Sequence, residues 1–146
     1  MTDILFSHTD KVRDSEVDMH QGVNNSIYLQ YLQHARHEFL RSAGVDIDVY
    51  VPVVMEAHIK YQAFMTANDN YRVDIRVTRE RLTWHFLSDI VNVGTGKVAV
   101  SSDLHVVFFK DRRPSREEVL KLKALETQPL DPIVQEGAKV FAGNPE

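Results

Sequence analysis

Between Asn24 and Gly44 lies a single long stretch whose apolar residues recur at helical spacing: Tyr28, Leu32, Ala35, Phe39 and Ala43, with Leu29 and Leu40 beside them. Residues three and four apart share one face of a helix, so these side chains draw one apolar stripe. Gln30, Gln33, Arg36, His37 and Arg41 take much of the other side. Asn24 and Asn25 stand where the first-turn amides need capping, and Gly44 supplies the left-handed residue on which helices stop. Apart from a short segment near the C-terminus, the other regular stretches read as strands. One helix with a greasy stripe among strands with greasy faces has a direct solution, a sheet curled round the helix, and the fold class is α+β.

The strands follow from alternation. Ile4 to Arg13 places Ile4, Phe6, His8, Asp10 and Val12 on one side. After a connector over Gly44–Val51, Pro52 opens a strand to Ala63. Here Val53, Met55, Ala57, Ile59 and Tyr61 point one way, and Glu56, His58, Lys60 and Gln62 the other. Thr66 to Asn70 is turn chemistry. Tyr71 to Arg79 sets Tyr71, Val73, Ile75 and Val77 against Arg72, Asp74, Arg76 and Thr78, a half-buried strand with one wet face. Thr83 to Val93 puts Trp84, Phe86, Ser88 and Ile90 on one face, and Asn92–Lys97 makes the reversal. Lys97 to Lys110 is a final strand, apolar on both faces near Val106 to Phe109, which suggests cover from a second subunit as well as the chain's own core. Ser115 and Glu118 form a capping box for a helix over Arg116–Leu125 with Val119, Leu122 and Leu125 inward; Pro129 and Pro132 end it, and the chain after Gly143 is loose. Sequential strands with short connections pair antiparallel.

At 146 residues the chain reads as one domain over 1–146. A net charge of −4 argues against broad nucleic-acid binding, which needs a strong positive field. The absence of cysteine removes thiol nucleophiles and cysteine–zinc sites. No apolar run reaches membrane-spanning length and the first ten residues lack a signal-peptide layout, so no membrane partner is expected and the cytoplasm is the default compartment.

Chemistry concentrates just before the helix. Asp18 lies seven residues ahead of Asn25, close enough to share a pocket with unbonded amides at the positive end of a helix dipole. On residue types alone Asp18 is either a dipole-matching turn acid or a working carboxylate. Asp18, then Val23-Asn24-Asn25, Tyr28-Leu29, Tyr31-Leu32 and Ala35-Arg36, resembles the signature of the hotdog-fold acyl thioesterases named for 4-hydroxybenzoyl-CoA thioesterase, whose pattern is Asp-x-Asp-x-x-Gly-His-Val-Asn-Asn-x-x-Tyr-Leu. The run VRDSEVD, then VNN, then QHARHEFL is similar to the branch acting on 1,4-dihydroxynaphthoyl-CoA or acyl-ACP. Two positions depart: Glu16 replaces the first acid, and Gln21-Gly22 replaces the Gly-His pair.

The resemblance implies a five-stranded antiparallel sheet round one helix, a homodimer that stacks into a homotetramer, and hydrolysis of an acyl-CoA or acyl-carrier-protein thioester. It makes Asp18 the nucleophile or general base and Asn25 the amide that polarises the carbonyl, with Asn24, Tyr28, Gly22 and His20 at the substrate. Asn24 reads equally as a plain N-cap and Tyr28 as a core residue. Because a thiolate leaves readily, neither a metal nor another cofactor is called for. The acyl pocket would draw on PVVMEAHIKY and TWHFLSD, with Tyr61, Trp84 and Phe86 available. His34 and His37, one turn apart, lack a third ligand and read as solvent-facing, as does His58. Lys110, Arg112, Arg113 and Arg116, or Arg72, Arg76, Arg79 and Arg81, could hold phosphates or a carrier protein, or simply be solvated. Two alternatives remain: a non-catalytic acyl-binding module, and a 3-hydroxyacyl thioester dehydratase drafting His20 with Glu38.

Overall fold

The computed structural model describes residues 3–18 and 22–120. Its order is β1 (Phe6–Lys11), a single 3-10 turn (Asp14–Glu16), α1 (Asn25–Ser42), β2 (Val51–Tyr61), β3 (Asn70–Glu80), β4 (Thr83–Asn92), β5 (Val98–Lys110) and β6 (Arg113–Pro114). The sheet runs β1-β3-β4-β5-β2, every pairing antiparallel, and the two-residue β6 folds back on β5 as a sixth, minor strand. This is the hotdog arrangement, one long helix held against a curled antiparallel sheet.

The stripe on α1 forms as its spacing requires. Tyr28, Leu32, Ala35, Phe39 and Leu40 are buried against Val73, Ile75, Val77, Phe86, Ile90, Val100 and Leu104 of the sheet's inner face. Asn24 caps the helix: its side-chain oxygen accepts from Ser26 N–H at 2.8 Å. Gly44, at φ +81°, ends it, as Gly44 N–H donates to Arg41 O and Val45 N–H to Leu40 O, the paired bonds of a left-handed C-terminal stop. Arg36 departs from expectation. It lies four residues after Leu32 and four before Leu40, so it rides the edge of the stripe and is only 6% exposed. Burial pulls its guanidinium down to about 10.

Three further expectations need correction. In β2 the pairing slips at Met55, so that Val54 faces Val106 while Glu56 faces His105. This bulge reverses the alternation: Val53 shares the outer face with Glu56 and His58, while Ala57, Ile59 and Tyr61 stay on the face of α1. The outer face of β3 is not uniformly wet either. Asp74 is buried because Ser7 Oγ donates to it at 2.6 Å and Arg72 Nε at 2.8 Å. Finally, Arg116–Leu120 forms a bend and turn rather than a helix, and Ser115 Oγ accepts from Glu117 N–H at 3.1 Å in place of a capping box. Leu120 nevertheless joins the core, and the remainder of that expected helix, with Leu122, Leu125 and the loose end, lies outside the described residues. Val107, on the second apolar face of β5, is buried within one chain.

Core tyrosines give this packing a pH signature. Burial raises the phenols of Tyr28, Tyr31 and Tyr71 above their ordinary value of 10.0, most strongly Tyr31, whose hydroxyl also donates to Glu16. A raised acid holds its proton in the folded state where the unfolded chain has lost it, so stability is intact below pH 10 and falls as pH rises beyond it. An alkaline titration followed by tyrosinate absorbance and circular dichroism should show these three tyrosines ionising only together with unfolding. Ionisation of all five tyrosines ahead of any loss of structure would contradict the packing. Leu32→Ala should cost about 2–5 kcal/mol in denaturant unfolding.

Candidate functional site

The loop ahead of α1 is held by short backbone ties. Val17 and Val23 form an antiparallel bridge, Asp18 N–H donates to Gly22 O at 3.1 Å, and Val23 N–H donates to Met65 O at 3.0 Å. These bonds pair Asp18 with Gly22, two residues ahead of the cap Asn24. At the helix end Asn24 Oδ1 takes the Ser26 amide and Asn24 O takes the Ile27 amide. The Asn25 amide is the first-turn donor those two bonds do not use, and it sits at the positive end of the dipole.

Glu16 fixes the other side of the loop, a role composition alone did not reveal. It accepts from Arg13 N–H at 2.9 Å, closing the 3-10 turn, and from Tyr31 Oη–H at 2.6 Å, reaching across to α1. Tyr31 in turn stacks on Tyr71 with ring centroids 4.3 Å apart. A carboxylate two residues before Asp18 therefore tethers the loop to the second turn of the helix. The signal for it was the acid–x–acid spacing of Glu16 and Asp18, in which the first acid had no stated job.

The expected site residues fall into three groups. Asp18, Asn24 and Asn25 belong to the loop and cap that lead into α1, and all three are exposed in the single chain. Gly22 lies under Phe64, where an added Cβ would meet the ring at 3.3 Å. Tyr28 is sealed in the core, its hydroxyl accepting from Met65 N–H at 3.0 Å and its ring 6.0 Å from that of Tyr61. His20 lies outside the described residues.

The apolar surroundings differ from those expected. Trp84 and Phe86 are buried in the core and present no wall to a ligand, whereas Tyr61 remains partly exposed. Phe64, in a connection that alternation did not flag, is 80% exposed and overhangs the loop at Gly22. Glu38 pairs with Arg41 at 3.2 Å in the last turns of α1, far from the helix start, which leaves it no part at this site. His34 packs edge-on against His8 at 4.9 Å, and His37 is half-buried, its imidazole pushed down by burial and then by Arg36 and Arg41.

Much of the two basic clusters is engaged by acids and rings of its own. Arg72 and Arg76 reach Asp74 and Asp89, and Arg79 lies over the Trp84 ring at 4.6 Å. Lys110, Arg113 and Arg116 line a depression of about 700 Å³ together with Asp111 and Glu117. Tyr61 pairs with Val100 at the start of β5, and Lys110 ends that strand. Ten residues at ~3.3 Å each put the two up to roughly 33 Å apart, so the cationic end of β5 lies far along the strand from Tyr61.

The Asn24 cap adds to the packing that holds the helix start. Asn24→Ala should therefore cost about 1 kcal/mol in thermal or denaturant unfolding, and Asn24→Asp should recover most of it. Equal stability of the alanine variant would mean that the cap is not holding this end.

Comparison with known proteins agrees with the fold. Residues 12–136 match the model of the thioesterase-like superfamily. A chloroplastic acyl-acyl carrier protein thioesterase of Arabidopsis thaliana is 29% identical over 120 residues, covering 79% of this chain and 53% of that protein. A second such Arabidopsis thioesterase is 34% identical over 73 residues, covering 47% of this chain and 39% of its own. The chain thus spans about half the length, or less, of these curated relatives. Among solved structures, a 1,4-dihydroxy-2-naphthoyl-CoA thioesterase from Synechocystis superposes with a TM-score of 0.72 at 14% identity, covering 87% of this chain and 98% of that one. A hypothetical protein from Staphylococcus aureus in complex with CoA gives 0.74 at 16% identity, covering 100% and 92%. At such identities the structures speak for the fold alone. With nearly the whole described chain inside the family match and a hotdog sheet around its helix, this chain belongs to the thioesterase-like superfamily.

Proposed function

We propose that this protein hydrolyses an acyl thioester, carried on coenzyme A or on an acyl carrier protein, to the free acid and thiol. The observation that carries the reading is the pairing of Val17 with Val23 and of Asp18 with Gly22, which ties an acidic residue to the segment entering α1. Among the described residues the cap bonds there go to Ser26 and Ile27 and leave the Asn25 amide unused. In this reading the thioester carbonyl oxygen accepts from Asn25 N–H, and the charge it gains is favoured by the α1 dipole. Asp18 either attacks the carbonyl carbon, giving an anhydride that water then opens, or takes a proton from the attacking water. The thiolate leaves without an acid's help. Superfamily membership and the acyl-carrier-protein thioesterases among the relatives support the substrate class.

The acyl group would lie over Phe64 and Tyr61, with Asn24 and Gly22 lining the mouth and Tyr28 acting from within the core to hold Met65 in place. His20, outside the described residues, is a further candidate for substrate contact. A second copy completes the pocket. β2 lies at the edge of the sheet with Val51, Val54, Met55 and Tyr61 exposed. An uncovered apolar edge of this length is a pairing surface. Joining two such edges makes a homodimer, which stacks in pairs as a homotetramer and covers the exposed Asp18 region.

Asp18→Asn should lower acyl-thioester turnover by at least about a hundredfold, the scale expected of a lost catalytic group, while leaving the melting temperature unchanged because the residue is exposed. Assayed side by side, aryl-CoA, short and long acyl-CoA and acyl-carrier-protein substrates identify the preferred acyl group. Unchanged turnover in the asparagine variant would remove Asp18 from the chemistry. Tight acyl-CoA binding by the native protein without thiol release would make it an acyl-binding module instead. Glu16→Ala should lower kcat about tenfold by loosening the loop, with KM little changed.

A further inference from the structure

The face of the sheet turned away from α1 gathers three of the chain's seven histidines: His58 on β2, His85 on β4 and His105 on β5. His85 and His105 are direct cross-strand partners, with ring centroids 4.3 Å apart and planes inclined at 58°. Asp103, two residues before His105 and so on the same face, stands against both. His85 Nδ1 is 3.2 Å from Asp103 Oδ1, and His105 Nε2 is 3.4 Å from Asp103 Oδ2. Nitrogen and oxygen ligands at about 2.0–2.1 Å from a tetrahedral zinc ion lie about 3.3 Å from one another. Each imidazole faces its own oxygen of the one carboxylate, and one ligand atom from each of the three groups lies within 4.8 Å of the others, on neighbouring central strands, close enough to converge on one ion.

The second observation concerns the ring nitrogens facing away from Asp103. His85 Nε2 lies 3.5 Å from Glu80 Oε1, and His105 Nδ1 lies 3.5 Å from Glu56 Oε1. Metal-binding imidazoles characteristically give their other N–H to a carboxylate, which fixes the tautomer and raises the basicity of the ligating nitrogen. Both histidines have a carboxylate facing that nitrogen at ion-pair distance, on opposite flanks, although the Glu80 side chain is 78% exposed.

We propose that His85 Nδ1, His105 Nε2 and the Asp103 carboxylate form a binding site for a zinc-class divalent cation on the outer face of the sheet, with the fourth position open to water. Two imidazoles and one carboxylate select zinc and its transition-metal neighbours over magnesium or calcium, which prefer oxygen throughout. A competing group shares His105 and adds Glu56 and His58. Those two side chains are 57% and 61% exposed, stand on the edge strand and already pair with each other at 2.6 Å. The His85 group is half-buried and pre-ordered, so it loses less freedom on closing round an ion. This site is independent of Asp18 and stands or falls separately from the hydrolytic reading.

The test is a calorimetric titration of the full, untagged chain with Zn²⁺ after EDTA stripping and dialysis. One equivalent per chain should bind with micromolar or tighter affinity. His85→Asn and His105→Gln should each weaken it by about a hundredfold or more, Asp103→Asn by at least about tenfold and Glu80→Gln by about tenfold, while His58→Gln changes it less than about threefold. Co²⁺ added to the wild-type chain should give the intense visible absorption of a tetrahedral site, a readout independent of how any variant folds. Absence of saturable Zn²⁺ binding would leave the cluster as a ladder of ion pairs and overturn the proposal. Binding lost in His58→Gln, or kept in His85→Asn and His105→Gln, would overturn it equally.

Discussion

The apolar stripe of α1 pressed against the inner face of the sheet is the contact on which every other placement rests. Leu32, Ala35, Phe39 and Leu40 meet Ile75, Phe86 and Val100 with almost no exposed surface between them. That packing fixes where the helix begins, since Tyr28 and Tyr31 in its first two turns are pinned by Met65 and by Tyr71. A helix start held this firmly is a fixed electrostatic object. Its cap and dipole point at one place on the surface, and the loop carrying Asp18 is tied to that place by Val17, Gly22 and Glu16.

The two faces of the sheet do different work. The inner face is apolar and continuous with the helix, whereas the outer face is a lattice of compensated charge, from Ser7, Asp74 and Arg72 at one side to His85, Asp103, His105 and Glu56 at the other. Burying Asp74 is tolerable only because a hydroxyl and a guanidinium meet it directly. At the other side, inward of the exposed Glu56–His58 pair, the histidines and acids alternate across strands at 3.2–3.5 Å from one another. That is why this part of the face, and not the buried ion pairs, is where a cation would be accommodated.

Much of this was readable from residue order. Helical spacing located α1 to within a residue or two, because its two ends carry an asparagine cap and a glycine stop with definite stereochemical roles. The strands β3, β4 and β5 followed from alternation, and the family resemblance was carried by the residues at the helix start. What escaped was decided by long-range contact. The Met55 bulge depends on the partner strand, so no local pattern could announce that Val53 and Ala57 face opposite ways. Arg36 looked polar and was buried because it lies between Leu32 and Leu40 on the helix surface. The role of Glu16 required knowing that Tyr31 would come within 2.6 Å of it, and the histidine patch required the register of β4 against β5.

The site therefore reduces to one question of electrostatics, whether the unused amide at the start of α1 receives the oxygen of a thioester while Asp18 stands opposite. The most direct measurement is the amide resonance and hydrogen-exchange rate of Asn25 in the protein, with and without a non-hydrolysable thioether analogue that keeps the acyl carbonyl. The account predicts that the Asn25 amide shifts and becomes protected on binding, together with the backbone of Val17, Asp18 and Gly22, while amides at the far end of β5 stay unchanged. Binding that leaves Asn25 unperturbed and moves other amides instead would contradict it.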